Sequence, residues 1–224
     1  MKLALQTIRT AVIGLIVLGA LLFIPAGTLA YLPGWAFIVV FTIMTNWIGL
    51  YLAIKDPAAL ERRVKFGATK ETRPLQRVVI GIVTVALVAV MIVSALDWRL
   101  GWSNEPLWVI VLGEVLVAAG LYICLLVMQE NSFAASTIET MEGQRVISTG
   151  LYGIVRHPMY LGTLVMSVGI PLALGSYWGL FLILAVLPVL VLRIGDEEKM
   201  LVGELKGYAD YRQHVRSRLV PGVW

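Results

Sequence analysis

The sequence predicts an all-α fold: a polytopic transmembrane helical bundle of about six membrane helices, with a C-terminal amphipathic cytoplasmic helix. Three observations carry that expectation. Of the 224 residues, 59% are hydrophobic and 14% charged, against roughly 45–50% and about 25% in soluble domains. The apolar residues fall into runs, several of which are long enough to cross a ~30 Å hydrocarbon core. The charges lie mostly between those runs. An ordinary water-soluble domain is thereby excluded. The formal charge of +4 flanks apolar runs, which favours anionic lipid over nucleic acid as its partner.

The first run, residues 11–32, follows Lys2 and Arg9. It exceeds the 7–15 residues typical of a signal-peptide core, and a second run at 35–54 follows at once. A retained hairpin of two membrane helices is therefore expected. A polar stretch then carries Arg62, Arg63, Lys65, Lys70 and Arg73, with Pro57 and Pro74 suited to helix starts or turns. Runs at 78–96 and 107–128 complete four N-terminal membrane helices within residues 1–128 of a single 1–224 membrane domain. Two shorter runs, 159–174 and 177–192, separated by Gly175-Ser176, make either two thin spans or a helical hairpin tucked against the longer helices, and count as helices five and six.

Residues 193–224 are charged, with Leu201, Leu205, Tyr208, Tyr211 or Arg212, Val215 and Leu219 at three-to-four-residue spacing. That period predicts a helix with one apolar side, lying on the membrane surface or over a site. Sidedness follows from the basic residues. Seven Lys/Arg lie in 55–77 and six follow Leu192, whereas the link between helices three and four has only Arg99. The positive-inside rule puts both termini and the 129–156 segment in the cytoplasm, with an even number of spans.

Several residues are not explained by the bilayer. Glu114 inside the fourth run should face the bundle, and Asn46 in the second can be satisfied by a neighbouring helix. The single cysteine, Cys124, reads as a small buried hydrophobe, and two histidines with one cysteine make no metal-binding spacing. The dense cluster is Arg156-His157-Pro158, with Tyr160 and Gly162 on the turn that follows. A membrane-interface cap would account for each of these singly. Arg193, Glu197 and Glu198 stand where the last run stops, and Arg193 with Glu197 also fits a simple i,i+4 surface pair. If helices five and six fold back on each other, both clusters reach the same cytoplasmic level and form a mixed-charge pocket between water and lipid.

On these residues the chain resembles the isoprenylcysteine carboxyl methyltransferases and their relatives among the phospholipid N-methyltransferases. The resemblance runs through Asn131-Ser-Phe-Ala-Ala135, Gly150-Leu-Tyr152, Arg156-His-Pro-Met-Tyr160, Gly162, Arg193-x-x-x-Glu197-Glu198, Tyr208-x-x-Tyr211 and the tail from Val215 to Pro221. It implies an integral membrane enzyme that takes S-adenosylmethionine in the region 129–224, uses no metal, and methylates a lipophilic or lipid-modified acceptor. It further implies that Gly150, Tyr152, Arg156, His157, Tyr160, Glu198, Tyr208 and Tyr211 bind the cofactor, with Arg193 and Glu197 on the acceptor side. For a carboxylate acceptor, such as that of an isoprenylcysteine, Arg193 would hold one oxygen while the other attacks. For an amine or thiol, Glu197 would take the proton.

Two other classes compete. Membrane sterol reductases carry a similar Arg-His-Pro-x-Tyr segment and use NADPH, usually with asparagine where this chain has Met159. A transporter would show inverted repeats with broken helices near midplane, and no such duplication is evident.

Overall fold

The computed structural model describes residues 2–64, 73–133 and 144–224, with side chains described from residue 8 and, in the third helix, as far as residue 61. Lys65, Lys70, Ala134, Ala135, Glu142 and Gly143 lie outside the described residues, as do the side chains of Lys2, Arg62 and Arg63. The described chain is helical: α1 (Lys2–Ala26), α2 (Leu32–Lys55), α3 (Pro57–Val64), α4 (Pro74–Leu100), α5 (Leu107–Glu130), α6 (Pro158–Ala173), α7 (Trp178–Glu204) and α8 (Tyr208–His214), with a 3-10 turn at Gly150–Gly153 before α6. Pro57, Pro74 and Pro158 each occupy the first position of a helix, where the missing N–H has no intrahelical partner to lose.

The molecule is an all-α, polytopic membrane protein. Five helices, α1, α2, α4, α5 and α7, are long and apolar enough to cross a bilayer. Their outward faces carry exposed Ile24, Leu32, Val85, Leu107, Trp108 and Phe181, as expected of surfaces that meet lipid rather than water. The sixth apolar helix, α6, has 16 residues, about 24 Å at 1.5 Å per residue, and α8 is a short surface helix.

The hairpin differs from the expected pair of equally short spans. Helix α7 has 27 residues, about 40 Å, and runs without a break through Arg193, Glu197 and Glu198. Between Leu192 and Glu204 the sequence is mostly good helix formers, and Gly195 meets no neighbour, so nothing there stops the helix. The break comes at Gly207, whose φ of +88° suits glycine. The predicted terminal helix is therefore split between the end of α7 and α8. Its apolar side is nevertheless as read, because Leu201, Tyr208, Tyr211, Val215 and Leu219 are all buried.

Helix α6 is held chiefly by α5, at backbone contact. A Cβ on Gly113 would lie 2.1 Å from the Ala173 nitrogen, one on Gly120 2.5 Å from the Gly162 carbonyl oxygen, and one on Gly169 2.7 Å from the Val117 nitrogen. Small residues are the means by which membrane helices approach this closely. Cys124 is buried at the same interface, near the Met159 carbonyl. Asn46 satisfies its amide on its own helix, donating to the Thr42 carbonyl at 2.8 Å, rather than on a neighbour. Glu114 has both carboxylate oxygens out of solvent with no hydrogen-bond partner among the described residues.

The α6–α7 turn is tied to the end of α4 by Asp97, which is fully buried. It accepts from the Ser103 amide at 2.6 Å, the Ser103 hydroxyl at 2.7 Å and the Ser176 hydroxyl at 2.6 Å. Arg99, at the same end of α4, reaches the Pro25 carbonyl at the end of α1. The starts of α1 and α4, the start of α6 and the end of α7 consequently share the opposite end of the bundle.

Beside Asp97, Glu105 is buried at its carboxylate without a hydrogen-bond partner among the described residues. Burial first, and Asp97 second, push its pKa from an ordinary 4.5 up to about 7. The folded protein therefore holds a proton there that the unfolded chain has lost, and stability falls as pH rises between those values. Glu105→Gln is expected to raise thermal stability at pH 8 more than at pH 5. A denaturation series in detergent with equal gains at both values would contradict this.

Candidate active site

The sequence around residue 156 fixes its own geometry. Pro158 starts α6 and keeps the preceding residues out of the helix, leaving the Arg156 and His157 amides without helical partners. They donate instead to the Ser217 and Arg218 carbonyls, each at 3.0 Å, so the C-terminal tail lies as a strap across this loop. The Arg156 guanidinium strengthens the join, donating through Nη1 to the Val215 carbonyl at 2.8 Å and the Arg216 carbonyl at 2.7 Å.

The hairpin brings the two polar clusters together. Arg156 Nε lies 2.7 Å from Glu198 Oε1, and His157 Nε2 lies 3.2 Å from the same oxygen. Glu198 Oε2 receives Arg218 Nε at 3.0 Å. Three nitrogen donors thus converge on one buried carboxylate, drawing together α6, α7 and the tail. The side chains of Arg156, His157 and Glu198 are nearly inaccessible, whereas Arg218 is 34% exposed.

One residue earlier on α7, Glu197 takes a different direction. Tyr160 donates its hydroxyl to Glu197 Oε2 at 2.6 Å and accepts from Arg193 Nε at 2.8 Å. The expected Arg193–Glu197 surface pair is thus bridged by a tyrosine, and both side chains are partly buried. Arg193 Nη1 donates to Gln76 Oε1 at 2.9 Å, and Gln76 Nε2 donates to Asp196 Oδ2 at 2.5 Å. Arg73 closes the row on Asp196 Oδ1 at 2.8 Å.

Arg156, His157, Tyr160, Arg193 and Glu197 border a cavity of about 490 Å³, within the roughly 300–1,000 Å³ of small-ligand sites. Its polar part is lined by Arg145, Tyr152, Arg156, His157, Tyr160, Arg193, Glu197, Tyr208 and Tyr211. Its apolar part runs along Val79, Ile80, Val83 and Leu87 of α4, facing Thr163 and Leu190. Of the residues read from the sequence, Gly150 and Glu198 do not line it. Gly150 has a φ of +54° and sits against Glu130, shaping the turn that carries Tyr152. Tyr152 in turn accepts from Asn131 Nδ2 at 3.0 Å through its hydroxyl and from the Tyr211 hydroxyl at 2.7 Å through its carbonyl.

Tyr208 differs from the other tyrosines. It is buried and lines the cavity, and its hydroxyl has no hydrogen-bond partner among the described residues. Burial, reinforced by the nearby Glu198 and Glu197 carboxylates, raises its pKa well above that of an ordinary phenol. It is thus a neutral phenol.

With this geometry in place, one family similarity falls on the same region. Residues 108–206 match the phospholipid methyltransferase family. That stretch holds α6, all of α7 with its charged row, and α5 apart from its first residue, but leaves out Arg73, Gln76, Tyr208, Tyr211 and Arg218. A 91-residue stretch is 33% identical to the delta(14)-sterol reductase TM7SF2 of Mus musculus, covering 39% of this chain and 22% of that protein. The chain therefore spans about a fifth of the length of the curated relative it matches.

Sequence reading missed Gln76, Asp196, Arg73 and Arg218, and with them the apolar wall supplied by α4. Arg218 lay within the tail that carried the resemblance, and Asp196 one residue before Glu197. Gln76 had no comparable signal, being a single amide two residues after a helix-starting proline.

Proposed function

We propose that this chain is an S-adenosylmethionine-dependent methyltransferase acting on a lipid-borne amine, with a phospholipid headgroup as the acceptor class. The observation that carries the reading is the cavity, whose polar part presents the Glu197 carboxylate while its other part follows the apolar side of α4. The match of residues 108–206 to phospholipid methyltransferases supports the same class.

The residues present fit the cofactor. Tyr208 offers a buried hydroxyl without a hydrogen-bond partner among the described residues, and Tyr152, Tyr160 and Tyr211 line the cavity with it. Aromatic faces suit both an adenine ring and a cationic centre. Arg145 is exposed at the cavity and is suited to a carboxylate. When bound, S-adenosylmethionine supplies an electrophilic methyl carbon and leaves as a neutral thioether. Arg156, His157 and Glu198 support this part of the site by holding the strap and α8 in place.

Charge favours an amine acceptor. Arg193 already donates to Tyr160 and Gln76, whereas the described hydrogen bond of the Glu197 carboxylate engages Oε2 and leaves Oε1 to an incoming group. An incoming ammonium is attracted by that carboxylate, while an acceptor carboxylate is repelled. Glu197 would take the proton from the ammonium and so free the nitrogen lone pair, the nucleophile that the methyl donor requires. Tyr160 and Arg193 steady the carboxylate. The concentration of basic residues supports placing this end of the bundle, with both termini, in the cytoplasm, where the soluble cofactor is found.

The sterol-reductase similarity sustains a second reading, hydride transfer from NADPH. A phosphate-rich carrier asks for several open cations. Among the described residues lining the cavity, Arg156 is committed to Glu198 and Arg193 to Tyr160 and Gln76, leaving Arg145. That balance favours the zwitterionic cofactor.

The test is to incubate purified protein in lipid nanodiscs with methyl-labelled S-adenosylmethionine and phosphatidylethanolamine. Base-stable label on the lipid is expected. Binding of NADPH without binding of S-adenosylhomocysteine would overturn the reading. In the same assay Tyr208→Phe is expected to leave the ligand-free protein as stable as before, or up to about 1 kcal/mol more stable, because a buried unsatisfied hydroxyl is removed. Affinity for S-adenosylhomocysteine should fall about tenfold, and unchanged affinity would remove Tyr208 from the site.

A further inference from the structure

We propose that Gln76 is a positioning residue for the acceptor side of this site, setting Arg193 and, through Tyr160, the orientation of Glu197. The inference rests on the methyl-transfer reading above and adds a residue outside the matched segment, on a different helix.

Gln76 is fully buried in the first turn of α4. Its amide touches a cation on one side and an anion on the other: Oε1 accepts from Arg193 Nη1 at 2.9 Å, and Nε2 donates to Asp196 Oδ2 at 2.5 Å. Only one orientation of the amide satisfies both, because a flipped group would turn its NH₂ toward a guanidinium and its carbonyl toward a carboxylate. Asp196 is fixed in turn by Arg73.

The direction of each bond propagates along the row. On α7, Arg193 stands three residues before Asp196 and four before Glu197, so either acid is within ordinary helical reach. Gln76 occupies Asp196 Oδ2 and holds Nη1 of Arg193, leaving Nε of that guanidinium aimed at Tyr160. Tyr160 accepts there, and its single proton goes to Glu197 Oε2. The carboxylate is thereby fixed through one oxygen with the other available to the acceptor. A buried network of this kind is specific because each member has a defined donor or acceptor role.

A carboxylate swap tests the direction of the bonds. Gln76→Glu sets two carboxylates against each other, and Gln76→Met removes both contacts at similar volume. Each is expected to lower kcat for phosphatidylethanolamine methylation tenfold to about 10²-fold, while the Kd for S-adenosylhomocysteine, read by calorimetry, stays within about twofold of wild type. Adding Asp196→Asn to Gln76→Glu restores every bond. The amide introduced on α7 donates to the carboxylate introduced on α4 and accepts from Arg73, while that carboxylate accepts from Arg193. This double variant is expected to recover most of kcat.

Three outcomes would overturn the proposal: no loss in the single variants, an equal loss in cofactor-product affinity, or no recovery in the double variant. If Gln76→Met does not fold, the Gln76→Glu variant and its Asp196→Asn partner decide alone; failure of both to fold assigns Gln76 to stability and also overturns it. If wild-type protein binds no S-adenosylhomocysteine, the parent reading fails. If it binds and turns over but is indifferent to Gln76, this inference alone fails.

Discussion

Glu198→Ala is expected to destabilise the protein by about 3–5 kcal/mol, the range for breaking a buried ion pair by removing one partner, and to abolish measurable binding of S-adenosylhomocysteine. The carboxylate is nearly inaccessible and is the common partner of Arg156, His157 and Arg218. Its removal leaves the Arg156 guanidinium charged, buried and without an ion-pair partner among the described residues. Arg156 also carries the Val215 and Arg216 carbonyls, so the strap loosens with it. Tyr211 and Tyr208, packed with Val215, then lose their support at the cavity. Glu198→Gln separates charge from shape, keeping one acceptor while losing the neutralising charge, and should recover only part of the stability. Thermal unfolding in detergent, with and without S-adenosylhomocysteine, reads both effects. Near-wild-type stability in Glu198→Ala would show that Arg156 is satisfied by the tail carbonyls alone.

Arg218 provides a graded comparison. It holds the second oxygen of the same carboxylate from a partly exposed position, where solvent screens the pair. Its removal leaves Glu198 still paired with two groups, so Arg218→Ala should cost much less than Glu198→Ala.

Much of this arrangement could be read from the chain because local rules and the membrane act in the same direction. Run length set the long helices, and Pro57, Pro74 and Pro158 set three helix starts. The pairing of Arg156-His157 with Glu198 followed from folding one apolar run against the next. What escaped was of three kinds. The continuation of α7 past Leu192 was hidden because a change from apolar to charged residues marks the edge of a solvent, not the end of a helix. Gln76 and Asp196 were hidden because their meaning lies in a contact between helices more than a hundred residues apart, where spacing along one element carries no information. Glu198 shows a third limit: the sequence placed it at the site, yet not whether it faces the cavity or the groups behind it.

Glu197→Gln is expected to lower kcat for an amine acceptor by 10²–10⁴-fold, the usual span for removing a positioned general base, with S-adenosylhomocysteine affinity nearly unchanged. The amide preserves the shape and can still accept from Tyr160, so Arg193 and Gln76 remain in place. It cannot take a proton from an ammonium, which holds no lone pair for attack until that proton leaves. The deficit should therefore shrink as pH rises, because bulk solvent then deprotonates the acceptor before it reaches the site. A pH–rate series on phosphatidylethanolamine, comparing wild type with Glu197→Gln, separates this from a positional defect, which would keep the same ratio at every pH. A carboxylate acceptor makes the opposite demand. It needs no base and is repelled by Glu197, so the same substitution should preserve or increase methylation of a prenylated cysteine. One variant assayed on two acceptors thus distinguishes an enzyme for headgroup amines from one for carboxyl groups.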